Sequence, residues 1–84
     1  MSEYYGNIDE LKGRYFVVAT AQASGNIPNF GGNRFILIGD SVITPTGLLY
    51  GVQLCFGFGS NKIFIRNCSY KANSDGVYSG WRII

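Results

Sequence analysis

Apolar residues in this chain come in short runs of β-branched and aromatic side chains, cut apart by Gly, Asn, Pro and Ser. Residues 14–20 (Arg-Tyr-Phe-Val-Val-Ala-Thr), 34–38 (Arg-Phe-Ile-Leu-Ile), 49–58 and 62–68 have the composition of strands, and the intervening segments that of turns. A shorter fifth strand is predicted at residues 81–84, because an ending of Trp-Arg-Ile-Ile needs a surface to bury against. The single helical signal is Asn7-Ile-Asp-Glu-Leu11, where Asn7 can cap one turn and Gly13 can end it. The pattern predicts a small all-β domain, mainly antiparallel, of about five strands, with at most one helical turn near the N-terminus.

The segment 56–65 reads as a β-hairpin turning at Ser60-Asn61. In that register Phe58 faces Ile63, Phe56 faces Ile65 and Leu54 faces Asn67. One side of the ribbon then collects Val52, Leu54, Phe56, Phe58, Ile63 and Ile65, and is expected to be the core. The other side carries Gln53, Cys55, Gly57, Lys62, Phe64, Arg66 and Cys68, a mixed surface suited to packing against another strand or subunit. Cys55 and Cys68 come out as diagonal neighbours on it, too far apart for an unstrained disulfide, so free buried thiols are expected. The polar loops 22–33 and 39–47 are where binding would reside.

The chain has 84 residues, enough for one domain that buries only about 60 to 65% of its unfolded surface. Hydrophobic residues make up 46% and charged ones only 14%, a balance that favours hiding surface in an oligomer. The net charge of +2 comes from seven scattered Lys and Arg, without the basic stripe that nucleic acid calls for. No apolar run is long enough for a membrane span, and the N-terminus lacks the layout of a secretion signal. With no His, five scattered acids and no nucleophile elbow, the chain lacks the usual parts of an enzyme; no catalytic residue, cofactor or metal site is expected. Gly57-Phe-Gly59 lies inside a hairpin with no helix behind it, which removes it as a phosphate-binding loop.

Residues 8–17 (Ile-Asp-Glu-Leu-Lys-Gly-Arg-Tyr-Phe-Val), the Asn and Gly residues of 26–32, Phe35 to Ile38, Val52-Gln-Leu54, Lys62-Ile-Phe-Ile-Arg66 and Ser79-Gly-Trp-Arg82 resemble, in that order, the C-terminal knob of phage and pyocin tail fibres. The resemblance covers residues 7 to 84, with residues 1–6 as an N-terminal lead-in. That family opens with a "D-x-L … G-x-Y" segment, continues through a Gln-containing strand and an "I-Y-x-R" strand, and ends on a W-x-x-W-like motif. This chain has Tyr78 and then Trp81 at the ending, so either Tyr78 takes the place of the first ring or the loop differs. The resemblance implies a homotrimeric receptor-binding tip in the virion, made in the bacterial cytoplasm and acting outside it, that recognises a bacterial surface polysaccharide or outer-surface protein. The alternative is a trimerisation cap of a fibre with no receptor affinity. The chain is expected to be a fragment of a longer fibre.

Tyr70, Asn73, Asp75 and Tyr78 around one polar loop, with Asn26, Asn29 and Asn33 on the other, are the expected receptor-binding residues, since aromatic faces stack on sugar rings while amides and acids fix hydroxyls. Tyr70 and Tyr78 are expected to be exposed. Gln53, Arg66 and Trp81 are expected in structural or interface roles. A strand-centre Arg66 suits a bidentate carboxylate contact across a subunit boundary, or could hold a charged receptor group. Trp81 either packs in the fold or interface, or stacks on sugar.

Overall fold

The computed structural model describes residues 2–69 and 78–84. The chain is all-β. Among these residues six strands, β1 (Ser2–Tyr4), β2 (Tyr15–Ala19), β3 (Phe35–Ile43), β4 (Leu49–Gly57), β5 (Ile63–Ser69) and β6 (Arg82–Ile83), form one sheet in the order of the chain. Every pair is antiparallel except β1 with β2, which runs parallel at one edge. Residues 2–4 of the expected lead-in belong to the sheet: Ser2 pairs with Val17 and Tyr4 with Ala19. The two edge strands are the shortest, which limits edge-to-edge association.

The helical signal is realised as a 3₁₀ turn, Ile8–Glu10, whose first free amide, that of Asp9, donates to the Asn7 side chain at 2.8 Å. Strand β3 continues past Ile38 to Ile43, so half of the segment expected as the loop 39–47 is sheet. The turn that follows is tight. Thr44 N–H donates to the Leu48 carbonyl at 2.8 Å, and Gly47 supplies the left-handed residue at φ +85°.

The hairpin between β4 and β5 is shifted by two residues from the expected register. Phe56 pairs with Ile63 and Leu54 with Ile65, and the turn is built on Gly57 to Ser60 with Gly59 at φ +81°. Phe58 N–H donates instead to the Arg34 carbonyl, extending the β3–β4 ladder, and this contact outcompetes the shorter turn. The shift sets Cys55 opposite Phe64 and Cys68 opposite Gly51, so the cysteines are not diagonal neighbours; both are free and buried.

A two-residue shift leaves the faces unchanged, but the buried face is the one expected to be the surface. Gln53, Cys55, Gly57, Phe64, Arg66 and Cys68 are buried, together with Ala19, Phe35, Leu37 and Leu49. On this side the 3₁₀ turn delivers Ile8, the loop between β2 and β3 delivers Ile27 and Phe30, and the C-terminal segment delivers Trp81. Glycines sit where rings lie flat on the strands: a Cβ on Gly39 would run into the Tyr15 ring, and one on Gly57 into Phe30.

The opposite face, expected to be the core, is open. Phe16, Val18, Ile36, Ile38, Val52, Leu54, Phe56, Ile63 and Ile65 point there, none of them buried, and Phe16 is 53% exposed. The periodicity correctly separates two faces. Which one the chain itself covers depends on where the turn, the loop and the C-terminus return, and all three return to the other side. The terminal strand forms as expected, but Ile83 and Ile84 remain exposed in the single chain.

Candidate functional site

Two features on or beside the covered face join residues distant in sequence. The first is a polar latch around Arg66, on β5, which is 1% exposed. Its Nε donates to Gln53 Oε1 at 2.6 Å and its Nη2 to Asp9 Oδ1 at 2.6 Å. Gln53, opposite Arg66 on β4, donates from Nε2 to the Ile8 carbonyl at 2.8 Å. The guanidinium also lies over two rings, Tyr78 at 4.3 Å and Trp81 at 4.5 Å from the centroids. Trp81 Nε1 in turn donates to the Asn26 carbonyl at 2.7 Å, while the Asn26 N–H donates to Asp9 Oδ2 at 3.1 Å. One buried cation therefore ties together the 3₁₀ turn, the β2–β3 loop, β4, β5 and the C-terminal segment. A buried cation is tolerated only when paired and hydrogen-bonded, and Arg66 has a carboxylate, an amide oxygen and two ring faces.

The latch resolves several expectations. Arg66 pairs with an acid of its own chain, through one nitrogen, rather than bidentately across a subunit boundary. Trp81 packs in the fold. Tyr78 is not an exposed tyrosine: a bridge to Cys68 lays its ring on the covered face, where its hydroxyl is buried beside Gly51. Burial, with Tyr15 as its neighbour, pushes the Tyr78 hydroxyl pKa upward. Asp9, absent from the expected site residues, is the partner that completes the latch; the Asn7 cap that orients it was the available signal.

The second feature is a groove of about 530 Å³ at one end of the sheet, between the β2–β3 loop and the β4–β5 turn. Asn29 and Phe30 come from the loop, Gly59, Ser60, Asn61 and Lys62 from the turn, and Phe64 and Ile83 from the adjoining strands. Phe30 is held edge-on against Phe35, with centroids 5.7 Å apart at 70°. In an antiparallel meander alternate connections emerge at the same end of the sheet, so the topology itself brings these two segments together. The volume falls in the usual range for small-ligand sites, roughly 300–1,000 Å³.

Of the residues expected to bind receptor, Asn29 lines this groove. Asn26 is committed through its backbone to the latch, and Asn33 is exposed in the same loop. Tyr70, Asn73 and Asp75 lie outside the described residues. The residues flanking them, Ser69 and Tyr78, sit at the opposite end of the sheet from the groove, beside Tyr50 and Gly51. Phe30 lies in a loop where binding was expected, whereas Asn61 and Lys62, absent from the expected site residues, join it because the meander sets the β4–β5 turn at the same end of the sheet.

Among the described residues no group of three His, Cys, Asp or Glu side chains lies together to hold a metal ion, and no helix is long and apolar enough to cross a membrane. Comparison of the chain with protein-family models, curated proteins and solved structures gives no match.

Proposed function

We propose that this chain is the receptor-binding tip of a phage-like tail fibre, assembled as a homotrimer through its open sheet face and presenting the loop-end groove to a bacterial surface glycan. The observation that carries the reading is the open face. Strands β2 and β3 are apolar on both sides, the pattern of a sheet covered twice, and among the described residues only one side has a cover. The molecule measures 40 × 25 × 17 Å, so its broad face spans on the order of 1,000 Å², against about 800 Å² per partner in a typical specific interface.

A second copy is the natural occupant. The centre of the face is Ile38, Leu54 and Ile65, with no charge; the Arg14–Asp40 pair, 3.0 Å apart and exposed, lies towards one end. An uncharged centre with charges at the margin is the layout of a subunit interface. Three sheets with these faces turned inward would keep the latch and its covering loops outside, and the groove would open at one end of the assembly.

Light scattering at micromolar concentration tests the assembly, with an expected mass near three times 9.2 kDa. Leu54→Arg, which puts a charge at the centre of the open face, is expected to return the mass to that of one chain with unchanged circular dichroism. Binding of the labelled protein to a panel of bacterial cells tests the receptor role. A trimer that binds none of them would be a trimerisation cap, and a wild-type monomer would remove the reading.

A further inference from the structure

We infer that the loop-end groove takes an anionic sugar, a pyranose carrying one carboxylate or phosphate; this rests on the receptor-binding reading above. Among its described lining residues are one cation, Lys62, and no acid. Both salt bridges among the described residues lie elsewhere, at Arg14–Asp40 and Arg66–Asp9, so among those residues the Lys62 ammonium has no carboxylate partner. Its backbone is anchored nonetheless: Lys62 N–H donates to Ser60 Oγ at 3.1 Å, directly after the turn that Gly59 makes possible.

Around that cation the groove divides by chemistry. Asn29 from the loop and Asn61 from the turn line it, and an Asn amide can both donate to and accept from sugar hydroxyls. Phe30, Phe64 and Ile83 bring apolar surface suited to the C–H face of a pyranose. A neutral sugar would use the amides and the apolar surface but leave Lys62 without a counter-charge. A sugar bearing a carboxylate or phosphate would use all three, and the cation would then set the preference.

The test is an NMR titration of the full-length protein with methyl galactoside, the methyl glycoside of galacturonic acid, and galactose 6-phosphate. Both anionic sugars, or one of them, are expected to bind about five- to tenfold more tightly than the neutral one, with shifts at Asn29, Asn61 and Lys62; which anion wins identifies the source of the charge. In Lys62→Gln the preference for the anionic sugars is expected to fall to about one, and Lys62→Arg is expected to keep it. Equal binding of all three sugars, or a preference that survives Lys62→Gln, overturns the inference. If the protein binds bacterial cells and Lys62→Gln binds them equally well, the inference fails and the receptor reading stands. If neither cells nor sugars are bound, both fail.

Discussion

Arg66→Ala is the most informative single perturbation of this fold. The side chain is 1% exposed, whereas that of its partner Asp9 is 38% exposed. Removing one partner of a buried, hydrogen-bonded ion pair costs roughly 3–5 kcal/mol, because the other is left unsatisfied. Here water can reach Asp9, which places the charge contribution at or below the lower end. The substitution also strands Gln53 Oε1, on a residue with no exposure, at about 1–3 kcal/mol, and removes the cation from two rings, each contact worth about 0.5–2 kcal/mol. These terms share one side chain and are not additive, so a total of about 3–4 kcal/mol is expected.

A domain of this length has about 4–12 kcal/mol in all, at roughly 0.05–0.15 kcal/mol per residue. Each 1 kcal/mol moves the midpoint of a 60- to 100-residue domain by about 4–8 °C, so the variant should melt at least about 12 °C lower. Thermal and urea unfolding, followed by circular dichroism and by the fluorescence of the chain's one tryptophan, Trp81, would measure it, with all samples at one protein concentration because self-association adds to stability. Asp9→Asn keeps one oxygen to accept from Arg66 but turns an NH2 towards the Asn26 N–H, and should cost about 1–2 kcal/mol, less than Arg66→Ala. A midpoint for Arg66→Ala within about 4 °C of the parent, or a larger loss in Asp9→Asn than in Arg66→Ala, would refute the assignment of the latch as the tie between these segments.

Other outcomes follow from the same packing. Gly57→Ala should lose about 1–3 kcal/mol in urea unfolding, because the new methyl meets the Phe30 ring, and should weaken sugar binding in the groove more than Gly39→Ala, whose clash is with Tyr15 and not with a groove residue. Burial pushes the Cys55 thiol up to about 12, against the opposing charge of Arg66, and raises that of Cys68 as well. Neither thiol should react with a disulfide reagent near pH 8 until the protein is unfolded, and prompt labelling of the native protein would contradict their burial. Because the folded state holds these protons more tightly than the unfolded chain, their contribution to stability is complete below the unfolded thiol value of about 8.5 and is lost as pH rises towards about 12. The urea midpoint should therefore be level from neutrality to about pH 8.5 and decline above it, and a midpoint that rises through this range would count against the burial.

Local chemistry explains what the pattern of residues makes readable. The strand runs at 14–20, 49–58 and 62–68 lie within a residue or two of β2, β4 and β5, since β-branched and aromatic residues between Gly and Pro have few other options. Asn7 as the cap of a single turn, and two cysteines that remain free, were equally local matters. Ser2–Tyr4 carried no such signal: three polar and aromatic residues become a strand only because the edge of β2 is available beside them.

The choice of core was a different kind of question. Val52, Leu54 and Phe56 are more apolar than Gln53, Cys55 and Gly57, and alternation alone assigns them to the interior. The chain nevertheless covers the second set, because the polar groups of Gln53 and Arg66 are completed by a carbonyl from the 3₁₀ turn and a carboxylate 57 positions away. That pairing costs little once the turn, the loop and the C-terminus converge, and it cannot be read from residues two apart on a strand. Asn29 was recognisable as a loop residue able to bind sugar, but its place in one groove with Asn61 and Lys62 follows from the meander, which sets the β4–β5 turn at the same end of the sheet. Sequence by itself determined that this chain is a β-sheet with two distinct faces, because strand propensity and a period of two are local properties. Tertiary structure alone decided which face is covered and which is left open, because that depends on where distant segments meet.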